Sequence, residues 1–290
     1  MLEKNQAIIE GAIHVARQTG ARAVILAASL PDERALLQKE LGHNTRVFTT
    51  HAGPPTAERE GEVLLLPEVR LRRRGRAKIA LLEGLAAGYL EPGERVVVIS
   101  GSESGDTWEL DTVAVVELNE QEDYIDLEAQ APLQMLRDVA DPATFDAVLG
   151  ICVELGREGR EGKAVGLLIT LGDDQSVLDR SHQLVLNPFE GHSDDDRCIL
   201  LPAARRALSE FSGMDGAFVV RRDGVIMAAG RYLEEMATEY AVPSGLGARH
   251  SAAAGITAAT RCVAFAVSES TGDTRVFGGG RLLMTIEKND

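Results

Sequence analysis

Apolar positions follow two alternating rhythms in the first part of this chain. Helical spacing predicts helices at Gln6 to Thr19, Asp32 to Leu41 and Arg76 to Gly88. Between them, short apolar runs predict strands at Ala23 to Ala28, Arg46 to Thr49, Glu62 to Leu66, Arg95 to Ser100 and Thr112 to Leu118. Strands that alternate with helices make a mostly parallel sheet, so residues 1–122 read as an α/β layer domain, regulatory or oligomerising. Its layout is similar to the pyruvate-kinase C-terminal type of domain.

The rhythm changes after Leu118, where Glu and Asp crowd the chain as far as Gln130. Residues 123–290 then read as a second domain, a mixed β-sheet flanked by helices. Pro132 to Leu155 has helical spacing with a break at Asp141-Pro142, and Arg197 to Phe211 predicts another helix. Strands are expected at Ala164 to Thr170, Gly216 to Arg221, Val225 to Ala229, Arg261 to Ser268, Arg275 to Phe277 and Leu282 to Ile286. Asp223-Gly224 marks a hairpin turn.

Candidate chemistry concentrates in this second part. Asp215-Gly216-Ala217 sets a carboxylate on a tight glycine step at a helix-to-strand junction. Further on, Gly245-Leu246-Gly247-Ala248-Arg249-His250-Ser251-Ala252 is a glycine-rich turn, stiffened by Pro243, that opens a helix of small residues. A helix N-terminus offers unpaired N–H donors and the positive end of a dipole, and Arg249 and His250 add to that field. Such a turn suits phosphates, and the pair of motifs points to a nucleotide site. Taken alone, Asp215 is equally a plain turn residue. His14, His43, His51, His182 and His192 lack such neighbours and read as structural.

The Asp-Gly-Ala and Arg-His motifs resemble those of the diadenylate cyclases. The resemblance extends to Arg157-Glu158-Gly159-Arg160-Glu161-Gly162-Lys163, Asn187-Pro188-Phe189, Val267-Ser268-Glu269-Ser270 and Gly272, and covers roughly residues 125–290. A longer N-terminal region ahead of a C-terminal cyclase domain is similar to the archaeal members. The resemblance implies that two ATP molecules are joined into cyclic di-AMP with loss of two pyrophosphates. Asp215 and Gly216 would serve the attacking hydroxyl, and Arg249 and His250 the phosphates. Asp215, His250 and Glu269 would hold a divalent metal, Mn²⁺ first, with Mg²⁺ or Co²⁺ also fitting. Gly230 and Leu233 correspond to the region that binds adenine, with Arg231-Tyr232 covering the base. Ala217, Gly247, Ala248, Ser251 and Ser268 complete the nucleotide contacts. Ala248 stands where many members have Thr, so a hydroxyl is missing there. Since one site holds one ATP, the resemblance also implies self-association, with sites face to face between protomers. The alternative is a nucleotide-binding sensor or scaffold without turnover.

Composition limits the remaining classes. A chain of 290 residues with 44% hydrophobic content buries a full core and accommodates two domains. No apolar run reaches the roughly 20 residues of a membrane span, and Met1-Leu2-Glu3-Lys4-Asn5 has no signal-peptide character. Cys152, Cys198 and Cys262 are scattered without CxxC spacing, which fits core residues of a cytoplasmic protein. The formal charge of -15 disfavours nucleic acid as a partner, although a locally positive site still takes an anion. Lys is confined to Lys4, Lys39, Lys78, Lys163 and Lys288, an acid-rich balance that suggests a salt-adapted host. Gly101-Ser102-Glu103-Ser104-Gly105 reads as a surface loop, and Arg70 with Arg72-Arg73-Arg74-Gly75-Arg76 as a solvated helix start. Trp108 is expected to pack.

Overall fold

The computed structural model describes residues 3–52, 63–66, 73–104, 107–118, 139–234 and 247–288. Its contacts divide the chain into two compact units, 1–128 and 129–289. Pro243, Gly245, Leu246, Arg70, Arg72, Gly105 and the acidic stretch after Leu118 lie outside the described residues.

In the first unit, α1 (Glu3–Thr19), β1 (Ala23–Leu26), α2 (Pro31–Leu41), β2 (Arg46–Ala52), β3 (Val63–Leu66), α3 (Arg73–Ala86), β4 (Arg95–Ser104) and β5 (Thr107–Glu117) follow in order. The sheet runs β3-β2-β1-β4-β5, parallel except for β5. All four β1 residues are buried, as a central strand covered on both faces requires, which is why the sequence shows an unbroken apolar run there. One face packs Val24, Leu26, Val97 and Ile99 under Ile9, Ala12, Ile13 and Leu37 from α1 and α2.

Gly101 to Ser104 is not a loop. It prolongs β4 into a long hairpin with β5, whose register shifts between Ser100 and Gly101. A side chain at Gly101 would run into the Glu109 carbonyl, so glycine allows the close backbone approach at the bulge. Trp108 is buried, and the Arg76 guanidinium lies over its ring at 4.3 Å. Asn5 ties α1 to this hairpin: its Nδ2 donates to the Trp108 carbonyl (2.9 Å), and its Oδ1 accepts the Leu110 N–H (2.8 Å).

The second unit contains α4 (Pro142–Glu158), β6 (Leu167–Leu171), α5 (Asp174–Asp179), β7 (Ser181–Gln183), α6 (Pro202–Phe211), β8 (Ala217–Val220), β9 (Ile226–Leu233), α7 (Ala248–Ala259), β10 (Val263–Val267), β11 (Thr274–Gly278) and β12 (Arg281–Ile286). Its sheet runs β12-β11-β10-β6-β8-β9-β7, with β6 and β8 parallel and every other pair antiparallel. Alternation along β10 assigns its faces. Phe265 packs against Phe145 of α4 (5.3 Å between centroids), while Ala264 and Ala266 belong to the cluster that holds Ala253, Ala254 and Ile256 of α7. Small residues on both partners bring α7 close to the sheet.

The helix expected from Arg197 begins only at Pro202, which occupies its first turn. The preceding backbone is engaged elsewhere: Ile199 N–H donates to the Gly224 carbonyl, and Arg197 C=O accepts from Ile226. Two short elements, α5 and β7, were not expected. Asn187 braces β9, since its Oδ1 accepts the N–H groups of Ala229 and Phe189 while Nδ2 donates to Met227 C=O. Cys152 and Cys262 are buried free thiols and Cys198 is a half-buried one. No helix among the described residues is long and apolar enough to cross a membrane.

Two stability predictions arise. Asn5→Ala leaves two backbone groups of a buried hairpin unpaired and should cost the first unit about 2–3 kcal/mol, read from its urea transition. In α4, Asp146 has a buried Oδ1 with no hydrogen-bond partner among the described residues, and burial raises its pKa to about 7. Its unfolded value is about 3.9, so the fold holds a proton that the unfolded chain releases. The contribution of Asp146 to the stability of the second unit should therefore fall by about 2–4 kcal/mol as pH rises from 4 to 8. Thermal unfolding of the parent and of Asp146→Asn across this range should show it as a difference between the two slopes, the variant gaining on the parent as pH rises.

Candidate active site

Asp215 lies between the end of α6 and the start of β8, with its side chain exposed. Gly216 follows at φ 96°, a left-handed conformation that favours glycine, and its N–H donates to Asp215 Oδ1 at 3.0 Å. A Cβ at Gly216 would fall 2.7 Å from both the Gly230 carbonyl carbon and the Arg231 nitrogen. Glycine thus lets the Asp215 turn lie directly against β9. Gly230, at φ 71°, makes a second close approach, beneath Val185 and Met214.

β9 then supplies one wall. Arg231 donates from Nη2 to the carbonyls of Leu178 (2.8 Å) and Ser181 (2.6 Å) and from Nε to Ser181 Oγ (3.0 Å). Its guanidinium therefore ties β9 to β7 and is committed to structure. Tyr232 is exposed and packs on His182, centroids 4.9 Å apart, as an aromatic ledge.

The third wall is the start of α7. Gly247 is its N-cap, no side chain caps it, and the N–H groups of both His250 and Ser251 turn back to Gly247 C=O. Among the described residues no acceptor meets the earliest amides of the helix, the N–H groups that suit an anion. Arg249 is about one-third exposed, and its Nη1 lies 3.5 Å from Glu269 Oε2 at the end of β10. These elements enclose an open cavity of about 460 Å³, lined by Asp215, Gly216, Ala217, Arg231, Tyr232, Leu233, Ala248, Arg249 and Ser251, with Leu168, Leu184 and Ala252. Ala252 closes the glycine-rich motif, whereas Leu168 and Leu184 were not expected. Their signal was only hydrophobic, indistinguishable in the chain from core positions.

Gly230, Gly247, Ser268, Glu269 and His250 are outside this lining. Ser268 is buried and spends its hydroxyl on the Ser270 hydroxyl (3.2 Å) and the Thr271 N–H, as a turn residue does. His250 is only 4% exposed, stands edge-on to Phe277, and its Nε2 meets Arg275 Nη1 at 3.3 Å. Burial, then the Arg275 and Arg249 charges, lower its pKa to about 4. The ring is neutral at pH 7, and because a guanidinium only donates, Nε2 is the acceptor and Nδ1 carries the hydrogen. Asp273 in turn pairs with Arg275 at 3.2 Å. Among the described residues no three His, Cys, Asp or Glu side chains gather closely enough to hold a metal by themselves. Asp215, His250 and Glu269 are thus not grouped.

The chain matches two described families. Residues 154–282, which include all of these site residues, match "DisA bacterial checkpoint controller nucleotide-binding", and residues 4–123 match "Probable sensor domain DacZ_P". It is 35% identical over 207 residues to a diadenylate cyclase of Methanocaldococcus jannaschii, covering 71% of this chain and 64% of that one. Against a diadenylate cyclase of Haloferax volcanii it is 35% identical over 214 residues, covering 74% and 76%. The match to the Methanocaldococcus relative thus spans somewhat less than two thirds of that relative's length. Among solved structures, a double mutant of DacA from Staphylococcus aureus aligns at a TM-score of 0.33 and 24% identity, over 50% of this chain and 87% of that one. With its N-terminal and nucleotide-binding matches in this order, the chain belongs to the diadenylate cyclase family.

Proposed function

We propose that this protein condenses two ATP molecules into cyclic di-AMP, releasing two pyrophosphates, at cavities held face to face between two protomers. The observation that carries this reading is the convergence of Asp215 and Arg249, from separate elements, on one open cavity beside an uncapped helix start. Its volume, about 460 Å³, lies within the usual range for small-molecule sites.

In this reading the Tyr232 ledge and the apolar Leu168, Leu184 and Leu233 receive the adenine. The α7 amides and the Arg249 guanidinium hold the phosphates by charge-assisted hydrogen bonds. Asp215 accepts the proton of the ribose 3'-hydroxyl, whose oxygen forms a bond to the α-phosphorus of the opposing ATP as the bond to pyrophosphate breaks. Both reactions close one ring, so each protomer contributes its own Asp215 and Arg249. Two side chains of the cavity lining, Leu184 at 42% and Tyr232 at 41% exposure, leave apolar surface open at the site, which supports the face-to-face arrangement.

A divalent cation fits this donor set as a companion of the triphosphate. Asp215 and Glu269 are exposed carboxylates, and hard cations are commonly held by one or two carboxylates together with substrate phosphates. Mn²⁺, Mg²⁺ and Co²⁺ all suit these oxygens, and such an ion would stabilise charge on the leaving pyrophosphate. His250 contributes differently. Buried, neutral and facing Arg275, it anchors the first turn of α7 from behind.

Residues 123–290 are then the catalytic domain, and residues 1–122 a regulatory or oligomerising one, a division supported by the sensor-domain match. The scattered free cysteines support a cytoplasmic setting.

Chromatography of reactions with ATP and Mn²⁺ or Mg²⁺ tests the reading. The parent should release cyclic di-AMP and pyrophosphate. Asp215→Asn should be at least about 10²-fold slower while folded, and Arg249→Gln should lose about 10–100-fold in kcat/KM. Specific activity should fall on dilution to monomer. A folded parent that binds ATP and forms no product would overturn the proposal, leaving a nucleotide sensor.

A further inference from the structure

Gly166 is buried immediately ahead of β6, at a position that no motif in the sequence had marked. Its φ is not in the left-handed region, so the backbone itself does not demand glycine. Space does. A Cβ built there would lie well inside contact distance of Arg249 Nη1, 3.0 Å from Arg249 Cζ and 3.3 Å from Glu269 Cβ. The volume that a side chain would occupy is filled by the Arg249 guanidinium.

We infer that Gly166 is a positioning residue for Arg249: its missing side chain is the seat across which the guanidinium lies on its way to the cavity. Three segments distant in sequence meet here. The lead-in to β6 supplies the seat, the first turn of α7 supplies the cation, and Glu269 after β10, itself beside the seat, pairs with it at 3.5 Å. An Arg side chain carries large rotamer freedom, and fixing it ahead of binding removes part of that entropic cost. The seat matters because, among the described residues, the ion pair of Arg249 with Glu269 is a long one, so packing across Gly166 helps to select its rotamer. The inference rests on the cyclase reading for what Arg249 holds, a phosphate, and on geometry alone for how Arg249 is held.

Gly166→Ala tests it. The atoms in the way are mainly the far end of a flexible side chain, so the variant should fold with an unchanged or slightly raised melting temperature and displace Arg249. Two readouts separate positioning from general damage. Without nucleotide, phenylglyoxal labelling mapped by peptide mass spectrometry should modify Arg249 several-fold faster in Gly166→Ala, with other arginines unchanged. Calorimetry should show ATP binding weakened about tenfold, and the same substitution should add nothing in an Arg249→Gln background. Equal labelling rates for Arg249 in parent and variant would overturn the inference. So would an additive loss of ATP affinity in the double variant, or a Gly166→Ala protein that fails to fold. A parent that binds ATP without making product defeats the cyclase reading alone, and one that binds no ATP leaves the labelling rate to decide the role of Gly166.

Discussion

The candidate site depends on how closely two stretches of backbone approach. Asp215 reaches the cavity only because Gly216 lies against the backbone of Gly230 and Arg231, where any side chain would collide. That contact sets the start of β8 beside the end of β9, and β9 is itself held by the Arg231 fork to Leu178 and Ser181 and by the Asn187 brace. Conformational freedom at one residue is thereby converted into a fixed carboxylate, with stiffness supplied by neighbours that touch no ligand. This is the usual division between groups that react and groups that keep them in place.

Arg249 and His250 divide the same labour across one helical turn. Adjacent residues on a helix point about 100° apart, so one faces the cavity while the other turns inward toward Phe277 and Arg275. Their juxtaposition in sequence suggests a shared task, whereas their placement in space separates a ligand-facing cation from a buried neutral ring. Burying the imidazole beside a guanidinium suppresses its charge, which concentrates the positive field of this turn on Arg249 and the helix start.

Much of this was legible in the chain because it rests on local rules. The unbroken apolar β1, the Asp223-Gly224 turn and the small-residue α7 each carry their own signal in periodicity or turn chemistry. What escaped has a non-local cause. Arg197 to Leu201 have helical spacing, yet the backbone of Arg197 to Ile199 pairs with residues around the Gly224 turn, a partner more than 20 residues away. Gly101 to Ser104 have loop composition, but extend a hairpin whose other strand lies beyond them. α5 and β7 are too short for periodicity to register. For the site, the motifs drew attention to Asp215 and Arg249, but the inward turn of His250 depends on an Arg that arrives from β11. The apolar lining by Leu168 and Leu184 has no polar marker at all.

The proposed reaction joins two separate ATP molecules. Incubating the protein with equal amounts of ordinary and uniformly ¹³C,¹⁵N-labelled ATP, and weighing the product by mass spectrometry, tests it most directly. Joining of separate molecules should yield a statistical mixture of unlabelled, half-labelled and fully labelled cyclic dinucleotide. Mononucleotide products alone, or ATP recovered intact from folded and ATP-bound protein, would contradict it.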